Sequence, residues 1–321
     1  MALFLSEENV RELLPMPAAI ECVEASFADQ HAGAATNHPR QRIFLPGFSL
    51  HYMAGAVANE HWAGMKVYTV ASGQARFLVL LFDTRNGDLL AVLEADHLGR
   101  IRTGAASGVA TRYLARANAS RVGLVGTGRQ ARTQLEAVAA VRPIKAVRVF
   151  SRDETRRMEF SKEMTVRLGL PVEPAESAEQ AARFGDIVIT ATSSSSPVVK
   201  GEWLQPGTHV NAIGANASKR REIDETVLAR AKIIAVDSLD QARGEAGDLI
   251  QGLAALKRDW DDVVELHEVI GRSKPGRASD EEITVFKSCG IAIWDVAAAG
   301  YVYRAALQKG KGNNLRIWET G

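Results

Sequence analysis

The stretch RVGLVGTGRQAR (Arg121–Arg132) decides the fold. A short apolar run ends in a glycine turn, Gly126-x-Gly128-x-x-Ala131, and a helical pattern begins at once. Such a turn lets backbone amides and a helix N-terminus approach a pyrophosphate. A lone glycine fingerprint is weak. Here a β-type run precedes it, a helical run follows, and strand-helix alternation continues, so a dinucleotide is expected at Gly126, Thr127, Gly128, Arg129 and Gln130. About 120 residues come first. A separate module therefore precedes the nucleotide domain and is the natural place for a substrate.

Downstream, strands are expected at 121–125, 146–150, 186–191, 208–213, 232–236 and 283–287, and helices at 129–141, 153–168, 222–230 and 261–270. That alternation predicts an α/β fold, a Rossmann-type doubly wound parallel sheet. Upstream, Ser6 is a helix N-cap and Pro17 suits a first helical turn. Short apolar segments at 42–45, 50–54, 65–70, 77–83 and 89–94 read as an antiparallel or mixed sheet, with Arg85-Asn86-Gly87-Asp88 as a hairpin turn. Two Ala-rich helices, 97–117 and 290–308, resemble one another in composition, and the second is expected to return to the first module. The expected domains are 1–118 with 296–321, an α+β substrate and dimerisation domain, and 119–295, the dinucleotide domain.

The chain has 321 residues, a net charge of +1, 46% hydrophobic residues and two cysteines, Cys22 and Cys289. No strong field favours nucleic acid or an acidic membrane surface. No segment has the length and purity of a transmembrane helix, and MALFLSEENV lacks the features of a signal peptide. Two distant cysteines argue against a disulfide framework and fit a reducing cytoplasm. His61, His97, His209 and His267 lack metal-ligand spacing.

The end of the second strand bears on the cofactor. An NAD-binding unit usually has a carboxylate there for the ribose 2′-hydroxyl. This chain has Phe150-Ser151-Arg152, with Arg156 and Arg157 a turn later, which offer donors and positive charge to a 2′-phosphate. NADP(H) is therefore favoured over NAD(H), with a solvated basic helix face as the plain alternative. Asp153 reads as a helix cap. In the first module Lys66 lies in the apolar run GMKVYTV, where burying an ammonium is costly unless it is paired or its pKa falls; a desolvated lysine suits proton donation to a carbonyl or imine. Arg102, among small residues, can hold a carboxylate in two parallel bonds, and Arg42 is a third candidate.

RTGAASGVATRYLAR (102–116), VGLVGTGRQA (122–131), NAIGAN (211–216) and ITVFKSCGIAIWD (283–295) together resemble the ornithine cyclodeaminase/mu-crystallin family, in consistent order over nearly the whole chain. Its members include cyclodeaminases, alanine dehydrogenases, ketimine reductases and a crystallin that binds NADPH and thyroid hormone. The resemblance implies a Rossmann domain plus a dimerising substrate domain completed by the C-terminal helix, hence a homodimer. It implies that Arg42, Lys66 and Arg102 bind the substrate carboxylate and reacting centre, with Arg40 a competitor of Arg42. It also puts Thr190, Ala191, Thr192, Gly214, Ser288 and Gly290 near the cofactor. Two departures matter. Asn216 stands where enzymes acting on ornithine or alanine typically carry Asp, and His51 stands where cyclodeaminases carry Glu. Both remove negative charge that a distal ammonium needs. His51 reads as a packed histidine or a proton relay. Glu245 and Asp248 could line the site or cap a helix, with capping the better reading, and Cys289 reads as a small packed residue. The expected function is an NAD(P)H-dependent reductase of a 2-imino or cyclic ketimine acid, or of a 2-oxo acid plus an amine, with Lys66 as proton donor. The alternatives are a cyclodeaminase-type lyase that recycles NAD, and a non-catalytic NADPH-binding protein. A small amino or imino acid is the expected partner, with no nucleic acid or membrane.

Overall fold

A computed structural model describes residues 2–317. The chain divides into two compact units, Met1–Arg102 with Gly290–Gly321 and Thr103–Cys289. The division runs at 102/103 and 289/290 rather than at the expected 118/119 and 295/296. The first part of the helix Ala292–Lys309 carries residues that bond into the first unit, Asp295 among them.

The second unit holds an eight-stranded, wholly parallel sheet. Its order is Val263–Glu265, Ala231–Val236, Ile283–Lys287, His209–Ala212, Ile187–Thr190, Arg121–Val125, Ala146–Phe150, Val172–Pro174. Ile187–Thr190 and His209–Ala212 are buried at every residue. That pattern belongs to strands covered on both faces. Period-2 alternation sorts their side chains between two cores: Val122, Leu124, Ile187 and Ile189 enter one, Val125, Val188 and Val210 the other. The chain leaves Arg121–Val125 in both directions across the sheet, so the glycine turn sits at the topological switch point where α/β sheets bind ligands.

The first unit holds a seven-stranded mixed sheet in the order Asn313–Leu315, Ala2–Leu5, Leu89–Glu94, Gln74–Asp83, Trp62–Ala71, Phe48–Val57, Ala35–Leu45. Ala2–Leu5 runs parallel to Leu89–Glu94 and the other pairs are antiparallel. Ser6 caps the first helix and accepts from the Asn9 amide.

Several elements depart from the sequence reading. Ala2–Leu5, Val172–Pro174 and the helices Ala178–Phe184, Leu239–Glu245 and Gly247–Leu256 were not anticipated. The expected helix 261–270 is a short helix, Leu266–Ile270, preceded by the strand Val263–Glu265. The β-branched pair Val263-Val264 is drawn into parallel pairing with Ile234 and Ala235. The expected helix at 222 begins only at Glu225, capped by Asp224, because Glu222 is committed to the interior.

Candidate active site

In the second unit, a cleft of about 950 Å³ opens at the switch point. Gly126, Thr127 and Gly128 line it, together with Ser151, Arg152 and Arg156 from the end of the next strand and Ala191 and Thr192 from the neighbouring one. Gly126 has φ +111°, and a Cβ there would lie 2.5 Å from the Ala191 carbonyl oxygen, so only glycine makes this turn. Gly128 is different: a Cβ on it would meet only that oxygen, at 3.8 Å. The protein's own packing does not demand a glycine there. The thirteen-residue helix Arg129–Val141 starts at Gly128 with no side-chain cap. Open space before uncapped amides and a helix dipole fits a dinucleotide phosphate.

Asp153 caps the helix Glu154–Leu168, accepts from the Arg156 amide at 3.0 Å and pairs with the Arg156 guanidinium at 3.3 Å. Ser151 donates to the Asp153 carbonyl at 3.0 Å. Arg157 turns away, donating to the Ser151 carbonyl and lying over the Phe150 ring.

Behind the cleft is a buried polar hub that sequence reasoning missed. Glu222 is fully buried and accepts from the Thr190 hydroxyl (3.0 Å), the Thr192 amide and hydroxyl (2.6 and 2.7 Å) and the amides of Gly214 and Ala215 (2.5 and 3.2 Å). Burial pushes its carboxyl above the usual range, against the pull of Lys287. Asp248 accepts from the amides of Glu222 and Ile223 and pairs with Lys287 at 2.9 Å. Burial pushes the Lys287 ammonium down, but Asp248, Cys289 and Glu222 outweigh it and its pKa stands above the ordinary value.

Several of the expected site residues fall in or beside this hub. Thr190 is buried against Glu222 rather than lining the cleft, and the Gly214 amide is spent on the same carboxylate. Asp248 is an ion-pair partner, not a capping residue, and Glu245 accepts from Gln241 on its own helix. Ser288 donates to Asp237, as does the Cys289 amide, and Cys289 is a buried packed residue. Arg129 and Gln130 open the helix but are not among the cleft-lining residues. Asn216 is half-buried beyond the Gly214-Ala215 turn, where Lys287 donates to the Ala215 carbonyl.

In the first unit three cations converge. Lys66, Arg102 and Arg40 are all buried, and one carboxylate, Asp295, stands between the first two. Asp295 Oδ1 accepts from Lys66 Nζ at 2.9 Å and Arg102 Nε at 3.0 Å. Arg40 Nη2 donates to the Gly290 carbonyl at 3.4 Å and lies 3.6 Å from Met53 Sδ. Burial lowers the Lys66 pKa to about 8; Asp295 resists this, and Arg102 and Arg40 add to it. Burial alone would raise Asp295, but Arg102 and Lys66 hold it below the usual carboxylate range. Gly99 leaves room for the ammonium: a Cβ there would sit 2.8 Å from Lys66 Nζ.

Arg40, rather than Arg42, joins Lys66 and Arg102. The pairing of Ala35–Leu45 with Phe48–Val57 slips between His38 and Gln41, a bulge that sets Pro39 and Arg40 against Met53. Arg42 falls opposite His51 and is half-buried. His51 stacks on Tyr68 at 4.4 Å, which stacks on Phe77 at 4.9 Å, and its Nε2 is 2.8 Å from the Ser49 hydroxyl. Burial, Arg42 and Arg40 lower its pKa, so it packs as a neutral ring. Gly290, expected near the cofactor, belongs to the first unit and faces Arg102. Asp295 was missed, although a lone acid in IAIWDVAAAG marks a buried charge that needs a partner.

Among the described residues no group of three His, Cys, Asp or Glu is placed to hold a metal, and no helix is long and apolar enough to cross a membrane. Cys22 and Cys289 form no disulfide.

The parallel sheet, glycine turn and switch-point cleft define a Rossmann-type α/β protein, here with a second unit that carries a buried cationic cluster. The chain belongs to the ornithine cyclodeaminase/mu-crystallin family, whose sequence profile matches residues 1–310. It is similar in structure to the Thermococcus litoralis Delta(1)-pyrroline-2-carboxylate reductase in complex with NADH and L-proline, with a TM-score of 0.93 and 36% identity, covering 98% of this chain and 100% of that one. It is equally similar to an archaeal alanine dehydrogenase dimer with bound NAD, with a TM-score of 0.93, 36% identity and 99% of both chains covered. The ketimine reductase mu-crystallin of Mus musculus is 36% identical over 314 residues, 94% of this chain and 96% of that protein.

Proposed function

We propose that this chain is an NAD(P)H-dependent oxidoreductase that reduces a 2-imino or cyclic ketimine acid to the amino acid. Reductases and dehydrogenases of imino and amino acids are its relatives in the family. The observation that carries the reading is that Lys66 and Arg102 share one buried carboxylate, with Arg40 close enough to act on Lys66. Two guanidiniums suit a substrate carboxylate. An ammonium with a pKa of about 8 is an effective acid near neutral pH. A reduced nicotinamide, when bound, supplies the hydride for the imine carbon. Lys66 Nζ delivers the proton to the imine nitrogen, while Arg102 and Arg40 hold the carboxylate and so orient the carbon. The unit 1–102 with 290–321 is the substrate and dimerisation module of this scheme.

For the nucleotide we propose NADP(H) in preference to NAD(H). Ser151, Arg152 and Arg156 line the cleft where a 2′-phosphate would lie, and the one nearby carboxylate, Asp153, is held by its cap and by Arg156. A homodimer in the cytoplasm completes the proposal, supported by the dimeric archaeal neighbour and by two cysteines that form no disulfide.

The test is an absorbance assay with NADPH and NADH against Δ1-pyrroline-2-carboxylate, Δ1-piperideine-2-carboxylate, and 2-oxo acids with ammonia or methylamine. Oxidation of NADPH with at least one imino acid is expected. Stoichiometric conversion of L-ornithine to proline and ammonia without net oxidation would replace the reading with a cyclodeaminase. Tight NADPH binding with no turnover on the whole panel would replace it with a binding protein.

A further inference from the structure

Asp295 is buried more deeply than its surroundings require. The helix Ala292–Lys309 begins AIWDVAAAG, and Asp295 is the lone charged group in that apolar stretch. Its side chain is 1% exposed. Both cations that reach it use the same oxygen, Oδ1. Its second oxygen, Oδ2, is buried without a partner among the described residues, and so is Arg102 Nη1. A buried ion cluster is poor evidence for stability, because well-packed apolar residues usually do as well or better. A carboxylate that leaves one oxygen and one guanidinium nitrogen unsatisfied is poorer still.

The groups that face Lys66 can be named element by element. Arg40 comes from Ala35–Leu45, Met53 from Phe48–Val57, and Val79 and Phe77 from Gln74–Asp83. Gly99 and Arg102 come from Asp96–Leu114, and Asp295 from Ala292–Lys309. Arg40 and Arg102 are basic, and Met53, Val79, Phe77 and Gly99 are neutral. Within this set Asp295 is the sole negative charge against Arg40, Arg102 and Lys66 itself.

We infer that Asp295 is a positioning residue: through Oδ1 it ties Lys66 and Arg102 together, fixing the proton donor relative to the carboxylate clamp and holding the donor charged. The inference rests on the reductase reading for the roles of Lys66 and Arg102, but its geometry does not. A simple structural ion pair would set stability alone. A positioning residue must also set the acidity of Lys66 and the grip of Arg102.

Two variants separate charge from reach. Asp295→Asn removes the charge and Asp295→Glu keeps it on a longer arm. Protein labelled with 13Cε-lysine, with Lys66→Met to assign the resonance, reports the Lys66 titration without any turnover. Thermal unfolding and NADPH titration establish that each variant is folded. In the wild type Lys66 is expected to titrate at about 8. In Asp295→Asn it falls by about one pH unit or more, because an opposite charge within hydrogen-bonding reach is lost. In Asp295→Glu it stays near the wild-type value. Calorimetry with pyrrole-2-carboxylate, a planar carboxylate, should show at least about tenfold weaker binding to both variants, because Arg102 is no longer held. A Lys66 titration in Asp295→Asn that matches the wild type would overturn the inference, whatever the stability of the variant. If Asp295→Asn does not fold, a shifted Lys66 titration in Asp295→Glu overturns it and an unshifted one with weakened carboxylate binding upholds it. Failure of the wild type to reduce any imino acid would sink the reductase reading and leave the titration result standing.

Discussion

Replacing Gly99 with alanine should produce an enzyme that still folds and is much slower. Gly99 lies in the first turns of the helix Asp96–Leu114, and a Cβ built on it comes within 2.8 Å of Lys66 Nζ. Ordinary contact begins near 3.4 Å, so the ammonium must retreat by at least about 0.6 Å. Lysine is flexible, so the fold tolerates this move, and the alanine itself favours the helix by up to about 1 kcal/mol. The bond from Nζ to Asp295, 2.9 Å long, does not tolerate it. Misplacement of a catalytic group by about 1 Å can cost around a hundredfold in rate; the smaller displacement here predicts a loss of about 10- to 100-fold. Turnover with saturating NADPH, the NADPH dissociation constant and the thermal midpoint are the three measurements. The expected pattern is a fall in kcat with unchanged NADPH affinity, and a midpoint set by the helix gain against the cost of the stretched buried pair. Wild-type turnover in Gly99→Ala would refute the idea that Lys66 works from this place.

Other outcomes follow from the same geometry. The proton donor must be charged, so the reductive rate should be full below about pH 7 and fall as pH rises through about 8, with amino acid oxidation changing in the opposite sense; Lys66→Ala should lose this dependence and at least about a hundredfold in rate while still binding nucleotide. Ser151→Asp combined with Arg152→Ala should shift preference from NADPH toward NADH by about tenfold or more in kcat/KM, and an unchanged ratio would remove these residues from cofactor choice. Asp248→Ala leaves Lys287 buried without its carboxylate and should destabilise the second unit by about 3–5 kcal/mol in denaturant unfolding, whereas a loss under about 1 kcal/mol would contradict the buried pairing.

The nucleotide unit was largely legible because its signals are local. Continuous apolar runs such as Ile187–Thr190 mark strands buried on both faces, and the turn Gly126-x-Gly128 needs only a few residues to specify its backbone. The expected strands 121–125, 146–150 and 283–287 coincide with those formed. What escaped depends on distant partners. Glu222 looks like an ordinary helix-start acid in Arg221-Glu222-Ile223-Asp224, and its burial follows from donors some thirty residues back and a lysine sixty-five residues on. Arg40 and Arg42 competed for one place, and the bulge that decides between them is set by the pairing with Phe48–Val57. Pro39, which cannot donate to a ladder, was the local sign that alternation breaks there. Asp295 was legible in principle, since a single carboxylate in an apolar helix requires a cation, but sequence does not say that the cations are Lys66 and Arg102.

The division of the chain at Arg102 and Gly290 has a consequence during synthesis. The N-terminal sheet is made first, yet the helix Ala292–Lys309 that supplies its Trp294 and Asp295 is made only after the whole segment Thr103–Cys289, about 190 residues long. At roughly 5–20 residues per second the interval is on the order of 10–40 s. For that time Lys66 and Arg102 have no carboxylate from that helix, and the apolar sheet face it packs against is uncovered. The Rossmann unit, encoded in the middle, is therefore the first that can close its core on a nascent chain. The first unit to leave the ribosome is the last to be finished.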